Sequence, residues 1–226
     1  MRNFISFSRV FLIGLFFSCW LLAERNGVIL RFNIKQDSVI YEESDYGEPP
    51  QIAIWLENPA NGELRTIYVT YRTAAGDFIG KSECPVSLPA WTKVYRREFG
   101  KEGFPIPGSP APEAITGATS QEELVTAEVE VPKGSRHLFY IEMNVAGDFN
   151  SRFPFEDESS RLDYHGNGQP SLIYRGEITA EPGSKATPRL MGRTKQHEFS
   201  GIIDDLEGMD SALKCFKSIE VVCLGR

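Results

Sequence analysis

The chain is poor in the residues from which most catalytic and metal sites are built. Its 226 residues include four cysteines and three histidines, His137, His165 and His197. No Cys-x-x-Cys pair occurs, which excludes a zinc ribbon or a thioredoxin-type redox pair. No Gly-x-Ser-x-Gly elbow occurs and no histidine sits in a nucleophile motif, so the sequence encodes no recognisable catalytic residues. The alternating Asp-x-Asp-x-Asp-Gly of a calcium loop is missing as well. Glu156, Asp157, Glu158 and Asp163 do gather in "FEDESSRLD", but without that spacing they read as a solvated acidic loop and not as a metal site. "HGNG", from His165 to Gly168, reads as a tight turn.

Basic patches are also lacking. Lys and Arg number 24 against 31 Asp and Glu, a net charge of −7. An acidic surface repels phosphate backbones, which argues against nucleic acid and against an anionic membrane patch. Nor is there an apolar run of the roughly 20 residues that a spanning helix needs. The longest, Val10 to Ala23, has 14 residues and follows Arg2 and Arg9. A basic start and a short apolar core predict a secretory signal peptide over residues 1–23 and a periplasmic or secreted location. Leu21 is large for the third position before a cut after Ala23. An uncleaved anchor, or a lipid on Cys19, stand as alternatives, and membrane contact is expected only through an uncleaved signal. Cleavage leaves 22 basic residues against 31 acidic ones, a net charge of −9. It also leaves Cys84, Cys215 and Cys223. Export permits disulfides. Cys215 and Cys223, eight residues apart, would lie about 26 Å from each other on one strand, so they bond only if the chain turns between them. Buried free thiols are the expectation.

What is present is mostly strand pattern. "GVILRFNI" opens the mature chain. The apolar run Ile52–Leu56 and the alternating "LRTIYVTYRT" flank Asn61-Gly62, a hairpin signal, so residues 51–73 read as a hairpin with Ile67, Val69 and Tyr71 on one face. "SLPAWTKVYRREFG" spaces Trp91, Val94 and Tyr95 as a short helix would. Pro105, Pro107, Pro110 and Pro112 then hold the chain extended and bar it from a central strand. "VTAEVEVP" and "LFYIEMNV", joined by "KGS", alternate cleanly and predict a second hairpin. It has Phe139, Ile141, Met143 and Val145 inward and Tyr140, Glu142 and Asn144 outward. A long acidic loop, the strand "SLIYRGEI", a loop or short helix at "DDLEGMDSALK" and the strand "KCFKSIEVVCL" complete the chain. Strands and turns without alternating long helices predict an all-β fold, an immunoglobulin-like antiparallel β-sandwich with long loops and little helix. It forms one domain over residues 24–226. The Cys-Trp-Cys spacing of a true immunoglobulin domain is not there.

In this order, "PPQIAIWLENP", "LPAWTKVYRREFG", "EAITGATS" and "GNGQPSLIYRGEI" resemble an uncharacterised bacterial family of predicted periplasmic proteins, domain of unknown function twenty-two seventy-one. The resemblance covers about residues 28–180. It implies export and a sandwich fold, and a link to extracytoplasmic redox systems, without an established activity.

"EAITGATS" raises the one specific question of chemistry. The acceptor motif of covalently flavinylated proteins reads Asp-x-x-(Ser/Thr)-Gly-Ala-Thr, and Glu113, Thr116, Gly117, Ala118 and Thr119 resemble it with Glu in place of Asp. There, Gly117 would admit close backbone approach, Ala118 would add little bulk and Thr119 would supply the hydroxyl that takes FMN from FAD. The other reading is a Thr-Gly turn followed by a capping box from Ser120 to Glu123. A flavin ring would want an aromatic platform, for which Trp91, Tyr95 and Tyr140 are the candidates. The leading expectation is therefore an exported, non-catalytic binding or accessory module of the bacterial envelope, without a cofactor and with an unknown protein partner. The alternative is a covalent FMN protein modified at Thr119 by a flavin transferase.

Overall fold

Alternation along the strands dictates two layers that face each other across an apolar core. The structure, a computed structural model, describes residues 27–76, 87–110, 115–116, 123–155, 168–195 and 198–225. The first sheet is built on β1 (Gly27–Gln36), whose Val28, Leu30, Phe32 and Ile34 are all buried. It runs antiparallel between β5 (Leu124–Pro132) and β11 (Phe216–Leu224), with the two-residue β8 (Lys185–Ala186) beyond β11. The second sheet has seven strands. In spatial order they are β10 (Glu198–Ile203), β9 (Arg189–Lys195), β7 (Leu172–Thr179), β6 (Arg136–Asn144), β2 (Gln51–Glu57), β3 (Leu64–Thr70) and β4 (Ile115–Thr116). All its pairings are antiparallel except that of β4 with β3. The expected antiparallel β-sandwich is thus present, with four and seven strands in its layers. Phe32 of one sheet meets Phe139 of the other edge to face, with ring centroids 5.6 Å apart, at the centre of the core.

The expected hairpin of residues 51–73 forms as β2 and β3, but it ends early. The strand stops at Thr70, and Tyr71 begins a five-residue helix, α2 (Tyr71–Ala75), where it lies exposed. α2 follows α1 (Ser38–Glu42), a short helix for which the sequence carried no clear signal. The register between β2 and β3 slips between Ile54 and Trp55, so Ile67 is an extra residue in β3. This bulge breaks the single-face alignment of Ile67 and Val69. Ile67 joins the inter-sheet core with Tyr68, while Val69 turns to the far face.

The second expected hairpin requires a larger correction. β5 and β6 alternate as foreseen, with Val125, Ala127, Val129, Val131, Phe139, Ile141 and Met143 all buried. They do not pair with each other. β5 bonds to β1 in the small sheet and β6 lies between β2 and β7 in the large one. The turn 133–135 is an arch that carries the chain across the core. It is fixed to the end of β7 by Gly134 N–H donating to the Ala180 carbonyl and Ala180 N–H donating to that of Ser135. Period-two alternation reports which side chains face the core. It is the same whether two strands lie side by side or opposite each other.

The face of the large sheet turned away from the core is covered as well. α3 (Pro89–Phe99) forms where Trp91, Val94 and Tyr95 were spaced for it, with Pro89 in the first turn. These three side chains pack with Ala53, Trp55 and Val69 in a second apolar cluster. Glu142 and Asn144, expected to point into solvent, are therefore buried at 0% and 1% exposure. β4, which follows the proline-rich segment in the sequence, is an edge strand. No strand was foreseen over residues 185–203, where β8, β9 and β10 lie, because "PRLMGRTK" alternates in neither period. The expected loop or helix before the last strand holds a 3₁₀ turn at Ala212–Lys214. Cys215, just before β11, and Cys223, near its end, are buried and free. Among the described residues no helix is long and apolar enough to cross a membrane.

Close packing around Phe139 gives a direct test of the core. Gly176 of β7 sits opposite Phe139, and a Cβ built there would lie 2.1 Å from the ring. The ring is fully buried and cannot step aside. Gly176→Ala is expected to cost about 1–3 kcal/mol as overpacking, read as a lowered urea midpoint. An unchanged midpoint would mean that the ring has room the structure does not give it.

Candidate functional site

Two carboxylates stand out in the interior, and both come from β6 or the turn just after it. Glu142 sits in the middle of β6, on the face under α3. One of its oxygens, Oε1, accepts from the Ala90 N–H at 3.1 Å and the Ser171 hydroxyl at 2.7 Å. Oε2 accepts from the Trp91 N–H at 2.6 Å. These are orphan donors of the first turn of α3, whose own cap position, Leu88, makes no side-chain bond. Burial pushes the Glu142 carboxyl up to about 7, while the three donors and Lys93 pull the other way. Ser171, just before β7, also shares a 2.6 Å contact with Thr194 of β9, so one polar chain runs from α3 through Glu142 of β6 and Ser171 to β9. Asn144, two residues on, donates to the Gln169 carbonyl at 2.8 Å.

Asp148 lies just past the end of β6, at the base of the long acidic loop. Its Oδ1 accepts from the Gln169 N–H at 2.8 Å and its Oδ2 from the Ser211 hydroxyl at 3.0 Å. The Gln169 amide donates to the Asp148 carbonyl and to Asp210 Oδ1, and Asp210 N–H donates back to Gln169 Oε1. Gly168 has φ +69°, and a Cβ there would come within 2.5 Å of Asp148 Oδ1, so a larger residue would break the cluster. Burial drives the Asp148 carboxyl up to about 8 and Asp210 beside it adds to the rise. Hydrogen bonds from Ser211, Asn150 and Gln169 hold Asp210 below its ordinary value despite partial burial. A cavity of about 300 Å³ opens beside this cluster, lined by Ser44, Asp45, Asp148, Phe149, Asp210 and Lys214. A second, of about 460 Å³, lies by the β2–β3 turn and balances Glu63 and Glu98 against Arg65 and Arg97.

Chemically, these arrangements fasten the chain. Glu142 ends a helix, and Asp148 joins the two ends of the acidic loop to the segment before β11. Among the described residues, no three Asp, Glu, His or Cys side chains converge on a metal-sized site. His137 contacts Ser135 Oγ at 2.7 Å, and burial, with Arg65 nearby, holds it below its ordinary value.

Of the flavin motif, the structure describes the backbone of Thr116, which pairs with Thr70 on the rim of the large sheet. Glu113, Gly117, Ala118 and Thr119 lie outside the described residues, as do residues 1–23, Cys84, the acidic residues 156–163, His165 and His197. The aromatic candidates for a flavin platform are engaged elsewhere. Trp91 and Tyr95 are 0% and 1% exposed inside the second cluster, so neither can stack on an external ring. Tyr140 is stacked on Trp55 at 5.3 Å, with Arg175 over its ring and its hydroxyl donating to Glu57 at 2.8 Å.

Sequence reasoning missed Glu142, Asp148, Gln169 and Asp210 as a group. A signal for Glu142 existed: a charged residue between Ile141 and Met143 in a strand whose other face is covered must find donors. For Asp148 and Asp210, 62 positions apart, there was none. No protein-family model, no curated protein and no solved structure matches the chain.

Proposed function

We propose that this is an exported, non-catalytic module of the bacterial envelope, a sandwich of immunoglobulin-like type that binds or supports a partner protein. The observation that carries this reading is the use made of the interior carboxylates. Burial raises the titration of the Glu142 and Asp148 carboxyls, and each is bonded into the framework by donors from two separate segments. Displaced groups of this kind mark reactive sites when they converge in a cleft, and ion-holding or framework roles when they are saturated with internal donors. The basic start and 14-residue apolar run support the compartment. In an exporting host, the intact mass of the periplasmic protein is expected to begin at Glu24. Recovery of the uncut chain from the cytoplasm would overturn the reading.

One observation favours a second reading, a covalent FMN carrier. Thr116 belongs to a two-residue strand on the rim of the large sheet, and a modifying enzyme reaches a chain most readily at such an edge. In this reading the Thr119 oxygen attacks the FMN phosphorus of FAD. The new P–O bond forms as the pyrophosphate bond breaks, AMP leaves, and the hydroxyl proton passes to a base on the transferase. Co-expression with a flavin transferase should then give yellow protein heavier by FMN less water, and Thr119→Ala should lose both. Colourless wild-type protein of unmodified mass would remove this reading and leave the first in place.

A further inference from the structure

The second apolar cluster is separable from the first. The two sheets close on Phe32, Phe139, Ile141 and their neighbours without any residue of α3. α3 adds Trp91, Val94 and Tyr95 to a cluster of its own, against Ala53, Trp55 and Val69. It is a third layer laid over a sandwich that is complete beneath it. Carboxylates hold it at both ends. Glu142 receives the N–H groups of its first turn. Glu98, near its last turn, accepts from the Thr66 N–H at 3.2 Å and hydroxyl at 2.6 Å on β3. Glu98 is partly open to water, whereas Glu142 is wholly sealed. When the helix lifts, Glu142 is therefore the carboxylate that passes from a dry site to a wet one.

We propose that α3 is a proton-sensitive strap, seated while Glu142 keeps its proton and loosened from the sheet when that proton is lost. Burial opposes charge in the seated state, and lifting hydrates the carboxylate. The groups around Glu142 do not reverse this. Lys93 of α3 favours the charged form. Ile173 of β7 and Ala53 of β2 flank Glu142 in register, and Ser171 and, through it, Thr194 of β9 are uncharged. The seated carboxyl titrates at about 7 against an ordinary 4.5. Between those values the seated state holds a proton that the lifted state has already released. Lifting therefore becomes easier as pH rises through this window, by up to ~300-fold, and levels off above it.

Amide hydrogen exchange, corrected for intrinsic rates, tests this in an Asp148→Asn background, which takes the Asp148 titration out of global unfolding, by comparing Val94–Phe99 of α3 with Val221–Cys223 of β11. α3 should be less protected than β11 throughout, because it opens without the sandwich, and from pH 4.5 to 8 its protection should fall by about 100-fold or more. With Glu142→Gln added, which retains an acceptor but cannot ionise, the protection of α3 should not change with pH. The strap is overturned if α3 is as well protected as β11, so that it opens only on global unfolding, if the protection of α3 does not change with pH, or if Glu142→Gln keeps the slope. The comparison of α3 with β11 decides by itself should the glutamine variant not fold.

Discussion

Raising the pH from 5 to 8 is expected to lower the stability of this protein, and Asp148→Asn is expected to remove most of that loss. The cause is burial. The Asp148 carboxyl is pushed up to about 8 from an ordinary 3.8, and that of Glu142 to about 7 from 4.5. In the unfolded chain both have released their protons by pH 5 or soon above it. The native state still holds them. Stability therefore declines with pH wherever the native form binds more protons, from about 4 to about 8 for Asp148 and from about 4.5 to about 7 for Glu142. Asp148 has the wider window and should contribute on the order of 5 kcal/mol by pH 8, a large share of an ordinary domain's stability. Asn at position 148 mimics the protonated acid. Its oxygen can accept from the Gln169 N–H and its amide can donate to Ser211. Urea melts at pH 5, 6, 7 and 8 check this. A wild-type midpoint that is flat or rises over that range would contradict the burial of these acids. Below pH 4 the sign reverses. Hydrogen bonds and arginine neighbours hold Glu177 and Asp205 below their ordinary values, so whatever they contribute is lost as pH falls through those lowered values.

Trp91→Ala and Phe139→Ala should each cost about 3–5 kcal/mol, yet they should unfold different parts of the molecule. Both rings are fully buried. Phe139 lies between the sheets, against Phe32 and over Gly176. Its loss opens a cavity in the core between the two sheets, and the whole cooperative transition should move to lower urea. Trp91 anchors α3, touches Tyr95 at 5.6 Å and donates from Nε1 to Thr66 Oγ1 at 3.2 Å. Its loss strips the helix layer first. An early loss of the small helical signal should precede a strand transition shifted far less than in Phe139→Ala. Circular dichroism at helix- and strand-weighted wavelengths separates the two cases. A single coincident transition in Trp91→Ala would show that α3 and the sandwich are one cooperative unit.

The strands that alternate cleanly could be read from the chain because one face of each supplies apolar residues to the core between the sheets. β1, β5, β6 and β11 are of this kind, and α3 declared itself through the spacing of Trp91, Val94 and Tyr95. Partnership could not be read. Whether "KGS" joins neighbours or crosses the core depends on pairings with β1 and β2, about a hundred residues earlier. Nor does alternation say what covers the second face of a sheet, which is why Glu142 looked like a surface residue. β9 was hidden because Gly192 and two arginines interrupt its pattern, although Arg193 is buried and reaches the Asp205 carbonyl at 2.7 Å. As for the site, the sequence singled out Thr116 and its neighbours by motif. The buried acids became visible only once distant loops met.

The position of β1 has a consequence for how the molecule comes into being. This strand joins the small sheet between β5, which begins at Leu124, and β11, which ends at Leu224. As the chain emerges from its N-terminal end, residues 27–36 wait for a first neighbour through almost a hundred positions and for the second through nearly two hundred. Closure of so wide a loop is entropically slow, and little of the native free energy is gained before it happens. Closure of the small sheet is therefore a late event, and a chain cut short before Phe216 leaves β1 with a bare edge.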